Sequence, residues 1–337
     1  DYKKMNLDVN TFFEMTGMIG GICNNPEDYA SFYHNYKGRR YRHDQVHNLF
    51  GYYMTRSASE AFERYVPEKR ILLFSRASYI GMHRFGGIWQ GDNASWWSHL
   101  KMNVKMMPSL NMCGFLYTGA DVGGFGADAT EDLVLRWLEF AVFTPLLRNH
   151  SARGTRRQEV YRFSHVEKFA DVIGVRYQIL PYIYSEYMKA ALQNTMMFNP
   201  LAFLYGEDTL AGQVEDQLFI GENIMVAPVC EQNVSGRVVY FPEHMKELIF
   251  KNGIIEEGKV YEKGFSYVEM QMGTVHIFLR EGYLFPVAKG GKCVEDVDFE
   301  DLTLYSFGKE IKPYEYYLDD GETKDFNMET HIRILSC

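Results

Sequence analysis

Residues 69–107 read KRILLFSRASYIGMHRFGGIWQGDNASWWSHLKMNVKMM and contain an apolar run, a glycine-rich loop and a stretch with helical spacing. The run KRILLFSR (69–76) is bounded by charge, which is typical of a strand buried on both faces. The stretch from residue 94 to residue 107 predicts a helix that ends at Pro108. This region is therefore predicted to fold as a strand, a loop and a helix in that order.

The same unit recurs along the chain at intervals of roughly 40 residues, which is typical of successive βα units. The further predicted strands are 111–119, 143–150 and 197–205, and the further helices are 131–142 and 166–192. Four such units predict an α/β fold with a parallel sheet, the second half of a (β/α)8 barrel of the TIM type. Because a half-barrel leaves open sheet edges, we expect the upstream half to come from another polypeptide or from earlier in the same enzyme.

The flanking regions are predicted to differ from these units. Residues 1–50 are polar and are expected to form loops and short helices, and residues 55–66 predict a helix before Pro67. From about residue 224, short β-like runs alternate with Gly, Pro and charges, which is typical of antiparallel β-sandwich domains. The predicted domains are the barrel half (1–222), a proximal β-domain (223–289) and an incomplete distal β-domain (290–337).

Composition narrows the function classes. The 337 residues carry 35 Lys and Arg against 44 Asp and Glu, a net charge of −9, so we expect no nucleic-acid partner. Aromatic residues reach 15%, which suits a carbohydrate surface and equally suits a large core. Five scattered cysteines form no CxxC pair, so neither a disulfide framework nor a zinc knuckle is expected.

Location is predicted from what the sequence lacks. No apolar run is long enough to span a membrane, and the first residues have no signal-peptide pattern, so we expect a cytoplasmic protein without a membrane partner. Both ends of the sequence resemble cuts from a longer enzyme.

Candidate functional residues lie where predicted strands end, because reactive side chains of parallel barrels sit at that edge. They are Arg76, Trp89, Asp92, Asp121, Phe125 and His150. Each has an alternative structural interpretation. Asp92 could cap a helix, Asp121 could belong to a glycine turn, and Arg76 could be a structural ion-pair partner. His150 and the two aromatic residues could be core.

Several ordered motifs carry a family resemblance. FSRASYIGMHRFGGIWQGDNASWW (74–97), LYTGADVGGFG (116–126), RWLEFAVFTPLLRNHS (136–151) and RYQILPYIYSEY (176–187) resemble glycoside hydrolase family 31, the retaining α-glucosidases. VEDQLFIGENIMVAPV and YLDDG, further on, resemble that family's C-terminal half. The resemblance covers the chain from about residue 40 and implies no cofactor and no metal.

The resemblance also implies roles at individual positions. Asp92, in W-x-G-D-N, matches the general acid/base of that family. Arg76 and His150 match residues that bind sugar hydroxyls. The other matching positions wall or approach the same sugar pocket and are Trp89, Phe125 and Asp121. The implied activity is hydrolysis of terminal α-linked glucose from small oligosaccharides.

One family motif has no match. The nucleophile of the family lies in a W-x-D-M-N-E-type motif, and the nearest string here, MNLDVNTFFEM (5–15), lacks its Trp and its D-M-N-E order. We therefore expect the nucleophile upstream of Asp1 and expect this fragment alone to be inactive. The alternatives are a family member of other sugar preference, such as an α-xylosidase, or a non-catalytic carbohydrate-binding fragment.

A basic, histidine-rich segment, HNYKGRRYRHDQVH (34–47), invites two other interpretations. Its charge resembles a nucleic-acid patch, although a solvated loop fits so short a run better. His43, Asp44 and His47 have a spacing that could hold a metal, although the sequence shows no third ligand.

Overall fold

The computed structural model describes residues 26–337. These residues begin with helix α1 (Pro26–Ser31), a hairpin of β1 (Tyr33–Tyr36) and β2 (Arg39–Arg42), and helix α2 (His43–Tyr65). The prediction of loops and short helices up to residue 50 is confirmed for α1 and is wrong for the hairpin and for α2. The predicted helix 55–66 is only the second half of α2. The hairpin forms because Lys37 and Gly38 both adopt positive φ, the backbone of a tight two-residue turn. The string MNLDVNTFFEM (5–15) lies outside the described residues.

A three-stranded parallel sheet follows. Its strands are β3 (Phe74–Ser75), β4 (Gly87–Trp89) and β5 (Thr118–Gly119), in that spatial order. Strand β4 was not predicted, because it has three residues inside a glycine-rich segment. At Gly87 an added Cβ would lie 2.3 Å from the carbonyl oxygen of Tyr117, so only glycine lets these strands approach so closely.

Three long helices follow in the chain: α3 (Trp97–Met112), α4 (Glu131–Ala141) and α5 (Val166–Gln193). Helix α3 contacts strand β5, and α4 packs against both α3 and α5. The predictions for α4 and α5 are confirmed to within one residue. Helix α3 continues through Pro108, where a stop was predicted, because its buried face of Leu100, Val104 and Met107 holds it in the core. In the described part of the chain, no helix is both long enough and apolar enough to cross a membrane.

Two predicted parallel strands are wrong. The segment 143–150 contributes only a single parallel bridge, between Asp121 and Arg148. The segment 197–205 forms strand β6 (Phe198–Pro200) and helix α6 (Leu201–Leu204). Strand β6 pairs antiparallel and lies at the edge of the next sheet. Short apolar runs do not reveal their partner, and tertiary packing decided it here.

The remaining strands are antiparallel, as predicted from residue 224 onward. They are β7 (Leu218–Ile220), β8 (Ile224–Val226), β9 (Gly236–Phe241), β10 (Met245–Lys251), β11 (Ile254–Tyr261), β12 (Gly264–Glu269), β13 (Val275–Arg280), β14 (Leu284–Ala288), β15 (Leu302–Ser306), β16 (Tyr314–Tyr317) and β17 (Ile332–Leu335), with α7 (Met328–His331) before the last. A six-stranded sheet has the order β11-β10-β13-β8-β7-β6, and the pairs are β9–β12, β14–β15 and β16–β17. Strands on both sides of residue 222 share the large sheet, and the domain boundaries stay predictions.

Two apolar clusters hold the molecule together. The larger one joins helices α3 to α5 to the antiparallel strands and includes Trp137, Phe169, Ile277 and Phe285. The smaller one lies between the six-stranded sheet and the β9–β12 pair. Because helices and strands share the larger cluster, the parallel sheet has a rigid base, and the loops at its carboxyl edge are held in place.

Candidate active site

Arg76 and Asp92 meet at the carboxyl edge of the parallel sheet. Arg76 directly follows β3, and Asp92 lies three residues beyond the end of β4. Because the two strands pair in parallel, their ends lie side by side, and Arg76 Nη1 is 3.3 Å from Asp92 Oδ2. The side chains are 65% and 47% exposed, so solvent screens this ion pair and both groups remain accessible to a ligand.

The loop that carries Asp92 is tied to its surroundings through the backbone. Gly91 has a φ of +81°, which turns the chain sharply. The next residue, Asn93, is buried; its Nδ2 donates to Asn103 Oδ1 at 2.8 Å and its carbonyl accepts the N–H of Phe125 at 2.7 Å. Helix α3 has Trp96 at its N-cap, so the alternative that Asp92 caps the helix is wrong. Asp92 therefore projects from a loop that is held in place at the next residue, Asn93.

Asp121 is the second carboxylate at this edge, and it is buried where Asp92 is exposed. It is fully buried, and its Oδ1 accepts a hydrogen bond from Arg148 Nε at 2.5 Å, while Oδ2 has no hydrogen-bond partner among the described residues. Burial raises the pKa of the Asp121 carboxyl and the charge of Asp92 adds to this, although Arg148 and His150 oppose it. The side chain thus positions an arginine and is not simply part of a glycine turn.

Arg148 was not among the predicted site residues. Its guanidinium lies over the ring of Trp89, with its carbon 5.4 Å from the centroid, and 5.7 Å from the ring of Phe74. Trp89 is half-buried beneath this cation, and its buried Nε1 has no hydrogen-bond partner within residues 26–337. Its position two residues before His150, at the end of an apolar run, could have indicated from the sequence that Arg148 belongs to the site.

Phe125 and His150 form the other side of the edge. Their ring centroids are 5.2 Å apart with the planes tilted by 33°, and His150 is exposed. Gln158 fixes the two loops that carry them, because its Nε2 donates to the carbonyl of Gly124 at 3.0 Å and to Asn149 Oδ1 at 3.1 Å. The alternative of a core histidine is therefore wrong for His150.

The loop after β5 fits against the Asp92 loop only because of its glycines. Gly123 and Gly124 have φ values of +86° and +89°. An added Cβ on Gly124 would lie 2.5 Å from the backbone of Ser95, closer than real Cβ contacts. These glycines therefore allow Phe125 and Asp92 to lie at the same carboxyl edge of the parallel sheet.

The structure thus brings most of the predicted residues to the carboxyl edge of the parallel sheet, which we call the rim. The groups that border this solvent-exposed surface are the carboxyl of Asp92, the guanidinium of Arg76, the imidazole of His150 and the ring of Phe125. In glycoside hydrolysis with retention of configuration, the two catalytic carboxyl groups lie about 5–5.5 Å apart. Asp121 does not fit the attacking role, because Arg148 and the protein interior enclose it. Of the two predicted site carboxylates, only Asp92 is therefore free to reach a sugar.

The histidines of the segment 34–47 do not converge on a metal site. His43 uses its two ring nitrogens in opposite directions, 2.8 Å from His34 and 3.0 Å from His47, so the three do not face one point. Asp44 pairs with Arg42. Within residues 26–337 no group of three or more such side chains could hold a metal ion. The segment is largely exposed, as a solvated loop would be, but it forms the hairpin and the start of α2.

Two family models match the chain. The model described as "Glycosyl hydrolases family 31 TIM-barrel domain" matches residues 7–186, and "Glycosyl hydrolase family 31 C-terminal domain" matches residues 194–285. Together they take in the rim residues and most antiparallel strands.

The chain is also similar to proteins named as α-glucosidases. "Alpha-glucosidase 2" of Bacillus thermoamyloliquefaciens is 29% identical over 306 residues, which cover 89% of this chain and 38% of that protein. "Neutral alpha-glucosidase AB" of Homo sapiens is 28% identical over 311 residues, covering 88% of this chain and 31% of that protein. The chain therefore spans about a third of the length of these relatives.

Solved structures share the fold. A dextranase of Flavobacterium johnsoniae complexed with glucose superposes with a TM-score of 0.79 at 24% identity, covering 91% of this chain and 39% of that one. The glucosidase II alpha subunit gives a TM-score of 0.76 at 23% identity, covering 87% and 32%.

Proposed function

The chain belongs to glycosyl hydrolase family 31, and we propose that it carries the acid/base side of a retaining α-glucosidase site, with Asp92 as the acid/base. The observation that carries the proposal is the rim at the carboxyl edge of the parallel sheet. There an exposed carboxyl lies 3.3 Å from Arg76, in a loop joined by backbone hydrogen bonds to the loop of Phe125. The relatives named as α-glucosidases support the same assignment.

The rim residues divide the chemistry between them. In the first step a second carboxylate attacks the anomeric carbon, the bond to the bridging oxygen breaks, and Asp92 gives its proton to that oxygen. In the second step Asp92 takes a proton from water, whose oxygen attacks the same carbon and releases glucose and the second carboxylate. Arg76 and His150 supply donors to the hydroxyls of the bound glucose, and Phe125 covers one face of its ring.

We infer that the second carboxylate and the missing strands come from polypeptide upstream of this chain, and that the region before residue 223 supplies the second half of a barrel. The uncovered edge of the parallel sheet supports this inference. Strand β3 is an edge of the parallel sheet, and beside it Ile71, Leu72 and Phe74 are exposed. A 750 Å³ cavity opens there, between α2 and α5. A contiguous apolar surface of this kind marks a contact with another element.

Helix α2 supports the same inference. It has 23 residues, of which only Thr55 is buried. Five large apolar side chains along it are exposed: Phe50, Tyr53, Met54, Phe62 and Tyr65. A helix of this length normally buries a stripe of such residues, so α2 needs a partner that residues 26–337 do not supply.

A reconstitution assay tests the proposal. The chain is assayed on 4-nitrophenyl α-glucoside alone and then with a polypeptide that carries the upstream half of the same protein, and α-xyloside is the control substrate. We expect hydrolysis of the glucoside only when both polypeptides are present. No hydrolysis in either assay would overturn the α-glucosidase function and favour a carbohydrate-binding fragment, while faster hydrolysis of the xyloside would favour an α-xylosidase.

Covalent trapping tests where the second carboxylate lies. The barrel-domain match begins at residue 7 and so includes Asp8, which makes this residue the alternative to an upstream position. A 5-fluoro-α-glucosyl fluoride should leave its sugar on the attacking carboxylate, and mass spectrometry of peptides locates it. We expect the label on the upstream polypeptide. A label on Asp8, together with activity of the chain alone, would place both carboxylates within this chain.

A further inference from the structure

Trp96 is a large aromatic side chain left exposed next to the acid/base loop. It is 57% exposed, whereas the adjacent Trp97 packs against the core. Trp96 is also the N-cap residue of α3, a position where small polar residues are usual. Neither the cap nor the core explains a tryptophan here.

The backbone of Trp96 is fixed. Its N–H donates to the carbonyl of Ala94 at 2.8 Å, and its own carbonyl accepts the N–H groups of His99 at 3.0 Å and Leu100 at 3.1 Å. The preceding residue, Ser95, donates its N–H to Gly126 at 2.8 Å. The loop therefore presents the ring from a defined position and loses little entropy when a ligand binds.

The ring is supported as well. It stands edge-to-face against His99, with the centroids 5.2 Å apart and the planes at 83°. His99 is itself held, because its Nδ1 accepts the N–H of Ala94 at 2.9 Å. One side of the indole thus rests on a fixed imidazole, and the exposed part of the ring is available to a flat partner.

The chain keeps Trp96 close to the proposed general acid. A general acid must lie about 2.6–3.2 Å from the oxygen that it protonates, so the leaving sugar passes directly beside Asp92. Trp96 follows Asp92 by four residues, so their Cα atoms are at most about 14 Å apart, within reach of the first or second leaving sugar. We propose that Trp96 is the stacking surface for the leaving-group sugars, an inference that rests on the proposed function and makes this residue a determinant of preference for oligosaccharides.

Leaving groups of different size test the inference in the active preparation described above. Trp96→Ala is compared with Trp96→Tyr, which keeps a ring, and with Phe203→Ala, an equally exposed aromatic residue on α6. We expect Trp96→Ala to lower kcat/KM for maltotriose or isomaltotriose about tenfold and to change kcat/KM for α-glucosyl fluoride less than twofold, since fluoride occupies no sugar site. Trp96→Tyr and Phe203→Ala should stay close to the parent enzyme.

A binding measurement separates this inference from the proposed function. Calorimetry in an Asp92→Asn background, where trisaccharide is not consumed, should show about tenfold weaker trisaccharide binding after Trp96→Ala and unchanged glucose binding. An equal loss for trisaccharide and glucose, or no loss for either, overturns the stacking role. Absence of turnover in the parent enzyme would overturn the proposed function, and the calorimetry would still decide the role of Trp96.

Discussion

Asp92 and Asp121 are carboxylates in neighbouring loops, and their surroundings separate their roles. Asp92 is open to solvent and pairs with Arg76, whereas Asp121 is enclosed and holds Arg148 over Trp89. A group that transfers a proton to a ligand must be reachable, and a group that positions an arginine need not be. Accessibility therefore favours Asp92 over Asp121 for the proposed proton transfer.

Asp92→Asn should lower kcat/KM for oligosaccharides by at least about a hundredfold, because the amide cannot supply a proton to a sugar leaving group. The first step on 4-nitrophenyl α-glucoside, measured as the burst of nitrophenolate, should change much less, since that leaving group needs no proton. Asp301→Asn, an exposed aspartate in the C-terminal region, is the control and should change neither. An equal loss for both leaving groups contradicts the acid role.

Glu139 should make stability depend on pH. It is buried on α4, where Arg136 Nη1 donates to its Oε2 at 2.9 Å and Gly273 N–H donates to its Oε1 at 2.7 Å. Burial raises the pKa of Glu139 to about 7, above its ordinary value of 4.5. The native state thus binds more protons than the unfolded state between these values, and this contribution to the free energy of unfolding is lost as pH rises from 4.5 to about 7.

Glu139→Gln removes the titrating carboxyl and should therefore make the free energy of unfolding less dependent on pH. Relative to the parent, the variant should gain up to about 3 kcal/mol in the free energy of unfolding between pH 5 and pH 8. Urea unfolding at four pH values measures the difference. Glu300→Gln, an exposed glutamate, serves as the control. Parallel curves for the parent and Glu139→Gln would show that Glu139 is ionised throughout.

Among the elements, the loop after β5 depends on glycine geometry. At Gly124 the positive φ and the 2.5 Å approach to Ser95 leave no room for a side chain. Gly124→Ala should lower the free energy of unfolding by about 2 kcal/mol and reduce activity more than tenfold, because the shift displaces the Asp92 loop. Gly154→Ala also has a positive φ but open space around it, so it is the matched control for strain alone. Chemical denaturation and kcat/KM measure both effects, and equal effects of the two variants would exclude the steric explanation.

At the scale of the whole molecule, the C-terminal region anchors the first parallel strand. Arg70 pairs with Asp319, and Asp319 also accepts hydrogen bonds from Tyr184 at 2.5 Å and Tyr317 at 2.8 Å. Burial alone would raise the pKa of Asp319, but these donors lower it overall. Lys69 and Thr323 form a bridge beside this cluster, so the strand that leads to Arg76 is tied to the distal β-strands.

Asp319→Ala should lower the free energy of unfolding by about 3 kcal/mol, because it leaves a largely buried guanidinium without its carboxylate. Urea unfolding measures the loss, and the exposed Asp301→Ala should stay within about 0.5 kcal/mol of the parent. A loss no greater than that of the control would mean that Arg70 finds another partner and that the anchor is dispensable.

Local sequence was sufficient for the long helices α4 and α5, for the antiparallel runs after residue 224 and for placing Arg76 at the end of a strand. These features depend on periodicity and on residues close together in the chain. The sequence did not reveal strand β4, the antiparallel pairing of β6 or the role of Arg148. Each depends on a contact with a distant segment: Gly87 with Tyr117, Phe198 with Ile220, and Arg148 with Asp121. Pattern determines what an element is, whereas packing decides which surfaces meet, because close approach and burial depend on residues far apart in sequence.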